Sequence, residues 1–199
     1  MRKIIVLIAG ILLMALGTAV CNNTALGIDP FNAFCADLSA IANIQLGTMI
    51  LLVQLAIAIL VFFLNKKYLG IGSVIPMVMF GYFLQFFNWA VFQLITFDFV
   101  LIIRFFIFFI GMLIIAFGMS IYMSCDLGMV PYDCFSFIMS ERLGRNAFKL
   151  RVVLDTMVAV IAILLKGPIN IGTILLAFCV GPLIGFFKKR IVSKLLLHI

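Results

Sequence analysis

Asp155 offers the most chemistry in this sequence, because it interrupts the apolar run from Leu150 to Leu165 with Thr156 beside it. An ionisable side chain in such a run costs about 2.5 to 3.5 kcal/mol on membrane-insertion scales, so it is retained where it pairs or works. A carboxylate that is repeatedly hydrated and dehydrated suits the uptake of a coupling proton or of the cationic part of a solute. The plainer reading is an ion pair with Arg151, one helical turn away. Gln54 stands 101 positions before Asp155 and is likewise polar in an apolar run.

Two further segments share one pattern: Leu26-Gly27-Ile28-Asp29-Pro30-Phe31-Asn32-Ala33-Phe34 and Leu127-Gly128-Met129-Val130-Pro131-Tyr132-Asp133-Cys134-Phe135. Each reads as a glycine turn followed by proline at the first position of a helix, where its missing N–H costs nothing. Helices to about Ala42 and Leu143 follow from this, too short to span a bilayer and suited to a re-entrant or interfacial position. Asn32 and Asp133 occupy equivalent places in the two first turns. They either satisfy the turns' own N–H groups or, at helix ends that face a protein-lined cavity, hold a polar solute. With Asp29 and Tyr132 from the same motifs, the candidate substrate- or ion-binding set is Asp155, Asp133, Asn32, Gln54, Asp29, Tyr132 and Arg151.

Other chemistries lack their residues. The single histidine, His198, lies at the extreme C-terminus, which removes histidine triads and multi-histidine metal sites. No phosphate loop or dinucleotide fingerprint occurs, so no cofactor is expected, and an enzyme would need aspartate or cysteine chemistry without motif support. The five cysteines have no C-x-x-C spacing and read as buried free thiols. Gln85, Asn88 and Gln93 along one run either line a pathway or bridge helices.

These residues need elements to position them, and the composition dictates which. The chain is 66% hydrophobic and 11% charged, with a mean hydropathy of +1.36, beyond what a water-soluble interior can hide. Its apolar runs, about Ile4–Val20, Thr48–Leu64, Val74–Leu94, Phe99–Tyr122, Leu150–Leu165 and Ile169–Phe187, predict six membrane-spanning helices in a single domain. The first run also resembles a signal peptide, but Val20 is bulky where cleavage needs a small residue, so a retained span is expected. The net charge of +7 lies in clusters between the runs rather than in a nucleic-acid patch. With the N-terminus cytoplasmic, twelve basic residues fall inside (Arg2, Lys3, Lys66, Lys67, Arg142, Arg145, Lys149, Arg151, Lys188, Lys189, Arg190 and Lys194), against Arg104 and Lys166 outside.

The chain also repeats itself. Residues 10–40 align without gaps on 111–141 with nine identities, among them Gly10/Gly111, Gly17/Gly118, Gly27/Gly128 and Pro30/Pro131. The match resumes at Ile71/Ile171, Gly72/Gly172 and Gly81/Gly181. Three spans per half is an odd number, so the halves, about 1–96 and 97–199, are expected to be inverted repeats, a transporter architecture.

The two proline motifs, Glu141-Arg142-Leu143-Gly144, the Arg151–Asp155 pairing, and Lys166-Gly167-Pro168-Ile169-Asn170-Ile171-Gly172-Thr173 followed by Gly181-Pro182 together resemble the YczE-like membrane proteins of the YczE/YyaS/YitT group. The resemblance covers nearly the whole chain. It implies a bacterial inner-membrane protein, with aspartate usual at the position of Asn32 and a small residue at that of Asp29. The reading that follows is a secondary transporter of a small polar solute, coupled to protons, one half rocking against the other. Its alternatives are a substrate-binding subunit of a multi-component transporter and a non-transporting accessory protein. The expected partners are the lipid bilayer, a small-molecule solute with protons, and a second copy of the chain.

Overall fold

The computed structural model describes residues 2–93, 100–165 and 169–192. Leu94 and Phe99 at the ends of two apolar runs, Lys166-Gly167-Pro168, Lys194 and His198 lie outside the described residues. The elements are α1 (Arg2–Asn23), α2 (Pro30–Ala42), α3 (Leu46–Asn65), α4 (Ile71–Phe92), α5 (Leu101–Met123), α6 (Pro131–Leu143), α7 (Ala147–Leu164) and α8 (Ile171–Phe187). A 3₁₀ turn at Lys66–Tyr68 follows α3 and a π-helical turn at Lys188–Val192 follows α8. Among the described residues there is no strand.

Among the described residues, five helical stretches are long and apolar enough to cross a membrane: Arg2–Asn23, Leu46–Tyr68, Gly72–Phe92, Leu101–Met123 and Ile171–Val192. α7 is also apolar over most of its 18 residues, but Lys149, Arg151 and Asp155 lie within it. The outside of the molecule is covered with large apolar side chains, with Phe63 80% exposed, Phe106 68% and Leu164 77%. No soluble monomer leaves so much apolar surface to water. The exposed apolar face and the long apolar helices make this a multi-pass membrane protein.

The short helices form as their capping residues dictate. Pro30 and Pro131 are the first residues of α2 and α6, where the ring presets φ and no N–H is lost. Asn43 and Gly144 end the two helices in the left-handed region, at φ 54° and 61°. The turns before them need glycine for two reasons. Gly27 and Gly128 have φ of 130° and 113°, and a Cβ on either would lie 2.6 Å from Thr173 Oγ1 or 2.7 Å from Ser73 Oγ. At the same points the backbone is stitched across the fold, the Gly72 N–H donating to Leu127 O and the Gly172 N–H to Leu26 O, each at 2.8 Å.

α1 packs along α5, with Gly10 against Gly118 and Gly17 against Gly111, so the two helices run antiparallel. A Cβ at any of the four would meet the facing helix at 2.7 to 2.9 Å, and backbone-to-backbone approach of this kind is how membrane helices associate without a hydrophobic driving force. α4 lies against α1 and α8 against α5. α2, α3, α6 and α7 make a second group, in which α2 packs on α3 and α7, and α6 on α3 and α7. Asn88 of α4 accepts from Asn22 Nδ2 at 3.0 Å and from Asn23 Nδ2 at 3.3 Å, so it bridges α4 to the end of α1.

Gly118→Val should therefore lower the melting temperature of the detergent-purified protein markedly, an overpacking cost of about 1 to 3 kcal/mol, whereas Phe106→Leu on the outer face should leave it within a degree or so. Equal melting temperatures for the two variants would contradict the close α1–α5 contact.

Candidate functional site

The first turns of α2 and α6 are buried while their far ends are exposed, so both helices begin inside the protein and point outward. Where the two beginnings meet, the rings of Phe31 and Tyr132, equivalent residues of the two motifs, stack with centroids 4.7 Å apart and planes inclined by 35°. All seven candidates line a single cavity of about 60 Å³ at this junction. That volume admits a few water molecules or a solute of a few heavy atoms.

Each helix start solves its unpaired N–H groups differently. Asp29 is the N-cap of α2: its Oδ1 accepts from the Asn32 N–H at 3.1 Å, and its Oδ2 from Asn32 Nδ2 at 2.6 Å. Val130, at the N-cap of α6, has no side-chain acceptor to offer. Gln54 reaches across from α3 instead, and its Oε1 accepts from the Tyr132 N–H at 3.3 Å. The expectation that Asn32 itself caps its turn is thus replaced by Asp29 in that role, with the Asn32 amide as its partner.

Around α6 the polar groups form one chain. Arg151 Nη1 donates to Asp133 Oδ1, the Tyr122 hydroxyl donates to Asp133 Oδ2, and the Tyr132 hydroxyl donates to Asp155 Oδ1 at 2.6 Å. Arg151 Nε lies 3.5 Å from Asp155 Oδ2, the pairing expected along α7, but is not hydrogen-bonded to it. Asp133, Asp155, Gln54 and Asn32 are each 4% exposed or less. A buried carboxylate persists only with such partners, and here one guanidinium serves two of them.

Tyr122, which is fully buried and holds Asp133, is not among the seven candidates. The available signal was weak: a tyrosine closing an apolar run, at the position where the first half has Cys21. Phe31, whose ring faces Tyr132, is outside that set too, since one phenylalanine among 22 carries no signal of its own. The apolar wall of the cavity comes from the other helix group, with Met14 of α1, Phe80 of α4, Ile115 and Met119 of α5, and Leu176 and Val180 of α8.

The fold and site define an α-helical membrane protein with a buried, charged cavity at the meeting of two half-buried helices. The chain belongs to the family of unknown function DUF6198, whose profile matches residues 1–189. It is 28% identical over 188 residues to the uncharacterized membrane protein YczE of Bacillus subtilis (strain 168), covering 94% of this chain and 86% of that protein. It is 27% identical over 185 residues to the uncharacterized protein YyaS of the same organism, covering 93% and 91%. An uncharacterized protein of Haemophilus influenzae is 24% identical over 190 residues, covering 96% and 85%. The YczE-like resemblance carried by the motifs is therefore shown across almost the full chain. No solved structure matches it.

Arg151→Met should destabilise the protein by about 3 to 5 kcal/mol, because it strands two buried carboxylates. Adding Asp133→Asn to Arg151→Met should recover part of that loss. A double variant no more stable than the single one, by thermal unfolding in detergent, would contradict the pairing.

Proposed function

We propose that this protein is a secondary transporter of a small polar solute that works by alternating access with proton coupling. The observation that carries the reading is the convergence of the buried N-termini of two helices on one cavity lined by Asp29, Asn32, Asp133, Arg151 and Asp155. Discontinuous helices that meet at a buried polar site are how transporters hold solutes within the bilayer.

An inverted 3+3 repeat of six spans is part of this proposal. It is supported by the pairing of Gly10 with Gly118 and of Gly17 with Gly111, and by the reciprocal bonds from Gly72 to Leu127 and Gly172 to Leu26. In each pair of contacts, exchanging every residue for its repeat equivalent returns the other contact. α7 is taken as the sixth span. Its outer face, with Met157 58% exposed and Leu164 77%, is as apolar as its neighbours', while Arg151 and Asp155 turn inward. Lys67 Nζ bonds Glu141 Oε1 at 3.1 Å, bringing the basic ends of α3 and α6 to one face; the Tyr68 hydroxyl and then this ammonium hold the Glu141 carboxyl below its usual range. That face is assigned to the cytoplasm of a bacterial inner membrane, with both termini there.

The packing favours a different division of moving parts from half against half. The cavity lies between α1, α4, α5 and α8 on one side and α2, α3, α6 and α7 on the other, with α3 packed on α4 and α7 on α8, so alternating access is proposed as a rocking of these two groups about those two contacts, each group drawing on both repeats. A cavity of about 60 Å³ fits an occluded state. The reaction uses no cofactor and no covalent chemistry.

Two measurements test the reading. Reporter fusions should place both termini in the cytoplasm, and an external C-terminus would overturn the topology. In proteoliposomes, wild-type uptake should respond to an imposed proton gradient and Asp155→Asn uptake should not; equal responses would remove Asp155 from coupling. Full transport by the chain alone sets aside the subunit reading, and no solute movement under any gradient favours the accessory one.

A further inference from the structure

We infer that the solute is a small organic cation, a protonated primary amine, taken in preference to anions and neutral molecules of the same size. This rests on the transport reading and names the chemistry of its cavity. Three carboxylates, those of Asp29, Asp133 and Asp155, line the space with one guanidinium, that of Arg151. Arg151 bonds Asp133 directly and stands 3.5 Å from Asp155. Asp29 has no such partner, its two oxygens being held by the backbone and side-chain N–H groups of Asn32. Even with about half a unit of positive charge at each of the two helix starts, the lining is short of positive charge, and a dehydrated site of that balance repels an anion and attracts a cation.

Hydrogen-bonding capacity leans the same way. Asn32 is 3% exposed, lines the cavity, and its Oδ1 has no partner. Its orientation is fixed by chemistry, because flipping the amide would set its oxygen 2.6 Å from the Asp29 carboxylate in place of the N–H now there. A buried acceptor without a donor is costly, and an ammonium group carries three N–H donors. Among the described residues Arg151 Nε is the one fully buried side-chain donor without a hydrogen bond, and Asp155 Oδ2 beside it already supplies its counter-charge. The opposite wall is apolar at Phe80, Met119 and Leu176, with the Thr18 hydroxyl engaged in donating to Met14 O. That single oxygen does not complete the shell of an alkali ion, and the wall suits a short hydrocarbon tail.

The test compares ethylammonium chloride with potassium acetate and acetamide, which share its size, and with sodium and potassium chloride at matched ionic strength. Each is titrated against the thermal unfolding of the full chain in detergent. Ethylammonium alone should raise the melting temperature, and its apparent affinity should fall at least tenfold in Asp29→Asn, where asparagine still caps α2 and the Asn32 amide can turn to meet it. Asp155→Asn provides a second variant with the same expected loss. The inference is overturned if acetate, acetamide or an alkali ion stabilises as strongly, if ethylammonium gives no shift, or if both variants bind it as the wild type does. Binding of ethylammonium without its uptake into proteoliposomes would instead remove the transport reading and leave the cation site standing, so the two failures are separable.

Discussion

The constraint on which this structure turns is the backbone of two helices that start inside the protein. Away from water, every N–H and C=O of such an irregular segment must find a partner within the fold. Leu26 and Leu127 find theirs in the N–H groups of Gly172 and Gly72, and these glycines are needed because a Cβ there would meet the same carbonyl at 2.6 or 2.9 Å. Proline removes one donor from each helix start, Asp29 covers one start, and Gln54 covers the other. The cavity is what remains once these demands are met: two helix starts brought together with polar groups around them.

The two halves then part company chemically. Where the second half carries Tyr122, Arg151 and Asp155, the equivalent positions of the first half hold Cys21, Ile50 and Gln54. The start of α6 is held by side chains from α3, α5 and α7, while the start of α2 is held by its own cap. Asp29 keeps a carboxylate in the first half, one turn before the place where the second half has Asp133. A shared backbone plan therefore carries a charge network on one side and a single acid with an open amide oxygen on the other.

Much of this was legible in the residue order. The apolar runs located the long helices to within a few residues, and Pro30 and Pro131 marked the starts of the short ones, because a helix start is local chemistry. Asp155 and Asp133 stood out because charge is rare in such a chain. Their partners were harder to see. Tyr122 and Phe31 look like packing residues, and only the three-dimensional meeting of α5 with α6 and of α2 with α6 gives them their roles. The grouping of α1 with α5, across 100 residues, depends on glycine faces that sequence could pair in register but could not orient. α7 is harder to read, because its inward charges offset its outward apolar face.

The face of α1 that receives α5 has a consequence for how the molecule is made. Gly10, Met14, Gly17 and Cys21 form a buried stripe on it, yet the helix that covers it is translated about 100 residues later. During synthesis the stripe must wait in lipid, with α4 alone beside it. A ribosome-bound nascent chain of the first half is therefore an assembly intermediate with an open seam, and the arrival of α5 closes it.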